Sequence, residues 1–230
     1  MMSDWWTYQL SDLILFTPQA YFRLIELYNI SIWPVQLLAL MLGCTIAALA
    51  WRRPNWSGRV ISAILALSWL WIAWAFHLQR LADIHWVATY FAAGFAIQAI
   101  LIIWTGVIKD RFVINPIGSA IQTLGFSIFI FALFVQPFLT VFFGSNWGQA
   151  ELYGIAPDPT VTGTIGVLLL TNIRKHWWLI IIPVVWCIVN GATLWVLESM
   201  NFFVLVVTGF LALFAIIWKT SKNSDPSANC

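Results

Sequence analysis

Two histidines, an arginine and an aspartate, His77, Arg80, Asp83 and His85, fall within the nine residues HLQRLADIH. Imidazole and guanidinium together could hold an anion, and two imidazoles with Asp83 could hold a divalent metal, although HLQRLADIH is no recognised metal spacing. At ~100° per residue, Trp69, Ala73, His77 and Arg80 share one stripe of a helix. A ligand over that stripe would meet an indole floor, with Trp74 in the same turn, and a cationic rim. The opposing reading is a short polar hairpin at the lipid headgroups, with Arg80 paired to Asp83 and both histidines wet.

A second candidate is YGIAPDPTVTGTIG, Tyr153 to Gly166. Asp158 and Pro159 form a cap and first position for a short helix. If that helix starts below the membrane surface, its N–H groups open into an outer vestibule suited to an anionic or carbonyl oxygen. Asp158 has two readings: as a cap it occupies those groups itself, and as a free carboxylate it favours cations. Gly163 and Gly166 allow close backbone approach or simple packing. If one vestibule contains both clusters, His77 and Asp158 should lie within ~15 Å, from helices packed about 10 Å apart.

Four amides, Gln98, Gln122, Gln136 and Asn190, sit inside apolar runs. Amides in hydrocarbon are costly and face the bundle interior. Gln98 and Gln122 fall at similar depth and could hydrogen-bond each other. They read as interhelical glue or as the lining of a water-filled path.

Absences narrow the function. No Asp, Glu, Lys or Arg lies mid-span, which argues against a carboxylate proton relay and a voltage sensor. A retinal Schiff base needs a lysine within the last helix, and Lys219 lies only at its edge. No HExxH, GxSxG or Walker-type loop is present. No catalytic residue, metal site or cofactor is assigned, and the balance is against an enzyme. Cys44 and Cys187 lie in apolar runs and Cys230 ends the chain, so no disulfide framework is legible. The net charge of +2 leaves no nucleic-acid footprint.

The positioning elements follow from composition. The 230 residues are 61% apolar and 9% charged, with mean hydropathy +0.87. Soluble domains carry about 25% charged residues, so lipid must be the solvent here. Sixteen tryptophans, many flanking apolar runs, fit aromatic belts. The pattern predicts an all-α bundle of seven spans in a single membrane domain. Residues 1–32 form an N-terminal interfacial segment, 33–218 the bundle and 219–230 a polar cytoplasmic tail. Within the first part, TPQAYFRLIELYN predicts a helix that either lies in the interface or extends the first span.

The spans are expected at Trp33–Trp51, Gly58–His77, Ile84–Val107, Asn115–Phe143, Thr160–Asn172, Trp177–Leu197 and Phe202–Trp218. Asn115 and Pro116 should start the fourth, and Pro137 should kink it. The fifth is short, about 20 Å if helical. Arg52, Arg53, Arg59, Lys109, Arg111, Arg174, Lys175, Lys219 and Lys222 fall on alternate connections, leaving only Arg23 and Arg80 opposite. The excess places the N-terminus outside and the C-terminus in the cytoplasm.

YNISIWP (Tyr28 to Pro34), the tryptophan-rich run ending AFH at His77, and YGIAPDPTVTGTIGVLLL (Tyr153 to Leu170) together resemble a bacterial family of multi-pass membrane proteins classed as a domain of unknown function. The resemblance runs from about Trp5 to Trp218. It implies a bacterial inner (plasma) membrane location and brings no activity. The residues themselves favour binding or passage of a small solute, anionic or neutral. The rival is a non-catalytic scaffold or assembly subunit, and the third reading is an embedded enzyme using the outer histidines. The expected partners are the lipid bilayer, a small-molecule ligand, and either another membrane protein or a second copy.

Overall fold

The computed structural model describes residues 16–143 and 146–221, all helix and connections without a strand among them. The segment 1–15, Gly144 and Ser145, and the tail from Lys222 to Cys230 lie outside the described residues. Helix α1 (Pro18–Ser31) starts as its sequence predicts, with the Ala20 N–H donating to Thr17 Oγ1 at 3.3 Å and Pro18 at the first position. It buries Tyr21, Ile25 and Tyr28 and ends in a turn before α2 (Val35–Arg52). It is therefore a separate helix and not an extension of the first span.

Helix α3 (Ser57–Trp71) continues as a wider π-helix through Ile72–Leu78. Helix α4 (Ala88–Ile102) likewise continues through Ile103–Ile108. The expected start at Asn115 and Pro116 is displaced. The Asn115 N–H donates to the Leu170 carbonyl at 2.8 Å, and Phe112 and Ile114 are buried beside it. That tertiary bond holds the segment extended, and α5 (Ala120–Phe134) begins five residues later. The expected kink is present: α6 (Gln136–Phe142) leaves α5 at 51°. Pro137 has no N–H to continue the helical ladder.

Helix α7 (Pro157–Leu170) is buried at all fourteen positions. At 1.5 Å per residue it is about 21 Å long, short of the ~30 Å hydrocarbon core. It is enclosed by its neighbours and presents no exposed face. A 3₁₀ segment, Ile173–Ile180, leads into α8 (Ile181–Val196), followed by α9 (Phe202–Ser221). Among the described residues, four helical stretches are long and apolar enough to cross a membrane, or five if the bent α5–α6 pair counts as one span. The apolar part of α9, Phe202–Trp218, and α7 are shorter.

Small residues let α7 sit at the centre. A Cβ on Gly166 would lie 2.7 Å from both the Gly125 carbonyl oxygen and the Phe129 nitrogen. A Cβ on Gly125 would lie 2.7 Å from the Gly166 oxygen. The α5 and α7 backbones are thus in direct contact, which small residues alone permit. At Gly94 in α4, a Cβ would meet nothing within 4 Å. Gly166→Ala is expected to destabilise by about 1–3 kcal/mol through overpacking, whereas Gly94→Ala should be neutral or gain up to ~1 kcal/mol of helix propensity. Thermal unfolding of both variants in one detergent checks this; equal behaviour would refute the close-contact argument.

Candidate functional site

The N-terminal end of α7 is roofed by α1 and the loop before α7. Tyr28 Oη donates to the Ile155 carbonyl at 2.9 Å and itself accepts from Trp71 Nε1 at 2.9 Å. Asn29 Nδ2 donates to the carbonyls of Gly148 and Ala150 at 2.8 and 2.9 Å. Gly154 turns the chain at φ +87, where a side chain is disfavoured, and its N–H donates to Thr160 Oγ1 at 2.8 Å. The chain can then enter α7 under the roof.

Asp158 is not the cap of that helix. The cap is Ala156, Pro157 takes the first position, and Asp158 stands in the first turn. Only 2% of it is exposed. Its Oδ1 accepts from Asn190 Nδ2 at 2.7 Å and from Trp186 Nε1 at 2.9 Å. Both donors are neutral and one helical turn apart on α8, which puts them on one face. No cation pairs with Asp158 among the described residues, whose ion pairs are Arg23–Glu26 and Arg59–Asp110.

Two further groups feel this carboxylate. Burial and, second, the Asp158 charge push the buried Glu151 carboxyl well above the usual glutamate range. Burial, then Glu151 and Asp158, raise the Tyr21 phenol as well. The centre is thus two carboxyl groups with a phenol, an indole and an amide. No group of three or more His, Cys, Asp or Glu suited to a metal exists among the described residues.

His77 is in the interior and not on a wet rim. It is fully buried, with both ring nitrogens lacking a hydrogen-bond partner. Its ring sits 4.7 Å from Phe95, 5.2 Å from Trp186 and 5.9 Å from Phe91. The Trp186 indole therefore touches His77 and donates to Asp158, and two contacts of 5.2 and 2.9 Å fit within the reach expected for one site. Trp69 shares the buried stripe with Ala73 and His77 but acts inside the core, its Nε1 donating to Thr164 Oγ1 at 2.9 Å.

The remaining candidates separate from this centre. Trp74 is 56% exposed and faces outward. The helix ends at Leu78, so its period no longer directs Arg80, whose Nη2 donates to Ser31 Oγ at 3.0 Å. Asp83 is exposed and does not pair with Arg80. His85 packs on Phe16 and Phe91, and burial lowers its pKa.

The amides divide too. Gln98 Nε2 donates to the Leu179 carbonyl at 2.8 Å instead of meeting Gln122, which is half-buried on α5. Gln136 is buried with its Oε1 unpartnered. Only Asn190 enters the centre. Trp186, Glu151 and Tyr21 went unrecognised in the sequence. The four-residue spacing of Trp186 and Asn190, and Glu151 lying close before Asp158 in a chain poor in acids, were the available signals.

A family model described as a family of unknown function, DUF6064, matches residues 18–226. The chain belongs to this family. No curated protein and no solved structure matches it. Family membership therefore carries no activity, and the function must be argued from the Asp158 centre.

The raised Glu151 group sets a pH dependence. A carboxyl whose pKa is higher folded than unfolded stabilises fully below the unfolded value, here about 4.5. That contribution is lost as pH rises through the folded value. The Glu151 contribution to the melting temperature should therefore fall as pH climbs above about 4.5, opposite in sign to that of His85, whose lowered pKa adds stability as pH rises, and Glu151→Gln should remove that falling component. Melts of both proteins across the mildly acidic to neutral range check this. Parallel slopes would show that Glu151 is not buried as described.

Proposed function

We propose that this chain is a multi-pass protein of the bacterial inner membrane that binds a small solute at the Asp158 centre and passes it through the bundle. The solute is a small cation or a hydrogen-bond donor such as a protonated amine. This replaces the expectation of an anionic or neutral solute, because the centre offers carboxyl oxygens and no basic group among the described residues. One observation carries the reading: Asp158 accepts from two neutral donors at Oδ1, is almost wholly buried, and has no cationic partner among the described residues. A buried carboxylate left without a counter-charge is costly, and a bound cation would supply one.

The outside N-terminus and seven-span topology belong to this proposal. They are supported by the basic residues that gather at one end. Arg59 pairs with Asp110 there at 3.0 Å, and Arg111 and Lys175 line one cavity with Asp110. On this reading Asp158 lies toward the outer face.

The test is a melting screen of purified protein against alkali cations, ammonium and small amines at matched ionic strength. A ligand at a hundred times its Kd should stabilise by about 2.7 kcal/mol. Asp158→Asn should lose that shift and Gln122→Leu should keep it. Flux into vesicles then separates passage from binding alone. Absence of any shift in the wild type would defeat the solute reading and favour the scaffold or assembly subunit.

A further inference from the structure

A second polar site lies at the other end of α7. Segment 112–116 is tied to that end by the Asn115 N–H bond to Leu170, and the chain leaving α7 turns back through His176. His176 departs from helical geometry (φ −136, ψ 31) inside its 3₁₀ segment. Between these two stretches of chain is a cavity of about 750 Å³ lined by Asp110, Arg111, Asn115, Asn172, Lys175 and His176. That is ample for a phosphate group and its substituents.

Charge compensation decides what it suits. The Asp110 carboxylate is already paired with Arg59 Nε at 3.0 Å. Lys109, the nearest other base in sequence, sits over the Trp104 ring at 4.8 Å and does not line the cavity. Arg111 and Lys175 have no carboxylate partner among the described residues. The Leu170 carbonyl, which would repel an anion, is taken by Asn115. Two uncompensated cations thus face one cavity, with two amides and the 5% exposed His176 on its walls. A guanidinium beside an ammonium is the donor set that phosphate oxygens select.

We propose that this cavity binds a phosphate group, either free or as the headgroup of an anionic phospholipid. It is independent of the Asp158 centre. Basic pockets between membrane helices recognise such headgroups.

The full chain is compared with Arg111→Gln, Lys175→Gln and, as a control, Lys109→Gln. All three side chains are exposed, so no core packing is removed. Melting is followed in detergent with inorganic phosphate against chloride at equal ionic strength. It is followed also in nanodiscs of phosphatidylcholine with and without phosphatidylglycerol. Phosphate or phosphatidylglycerol should stabilise the wild type. Arg111→Gln and Lys175→Gln should each weaken that binding about tenfold, the effect of one lost charge-assisted contact, while Lys109→Gln leaves it intact. A response to inorganic phosphate identifies a free-anion site, and a response to phosphatidylglycerol alone identifies a headgroup site. No response to either, or an equal loss in Lys109→Gln, would overturn the proposal and reduce the cluster to a general positive face.

Discussion

The burial of α7 on every side is the constraint on which the rest of the fold depends. A fourteen-residue helix without an exposed position must find partners for every side chain and for both its ends. Its length forbids it from crossing hydrocarbon alone, and its neighbours make up the difference. On one side the Gly125–Gly166 contact brings α5 to backbone distance. On another, Gly163 leaves room for the Tyr153 ring, which a Cβ there would meet at 2.5 Å. Two of its three threonines turn their hydroxyls back on the helix, Thr164 to the Thr160 carbonyl and Thr160 to the Ala156 carbonyl, both at 2.7 Å, while the buried Thr162 hydroxyl has no partner among the described residues. The polar groups of a threonine-rich helix are in this way largely satisfied within it, and the surroundings can be apolar.

Both ends of α7 meet polar chemistry of opposite sign. At the start, the carboxyl groups of Glu151 and Asp158 are buried, and Asp158 is held by neutral donors. At the finish, two bases face a cavity whose only carboxylate is already paired. A helix dipole favours negative charge near the first N–H groups and cations near the last carbonyls. Asp158 in the first turn meets that preference at the start, and Arg111 and Lys175 meet it at the finish. The side-chain charges therefore follow the direction of the central helix, and each proposed ligand answers those side chains and not the dipole itself.

His77 shows how far burial can redirect a polar residue. In a hairpin at the headgroups it would hydrogen-bond to water. Packed among Phe91, Phe95 and Trp186, it serves with its ring as an aromatic and holds the indole that donates to Asp158. Its closeness to the carboxylate arises through that indole and not through a shared rim.

The residue order alone determined the helical class, the positions of most apolar stretches, the Pro137 break and the stripe joining Trp69 to His77. These are local properties: hydropathy over some twenty residues, the missing N–H of proline, and the helical period. A resemblance to a family of unknown function was also legible, from motifs in Tyr28–Pro34, the run ending at His77 and Tyr153–Leu170, and the match over residues 18–226 agrees with it at that level. Only the tertiary structure decided that α7 is enclosed, that α5 starts at Ala120, that Gln98 bonds Leu179, and that Asp158 is read by Trp186 and Asn190. Each of these turns on a contact between residues far apart in the chain, where one hydrogen bond or one close glycine pair selects among arrangements that local preference leaves equal. Arg80 escaped its stripe for the same reason: beyond the end of a helix, direction is set by what the chain meets and no longer by its period.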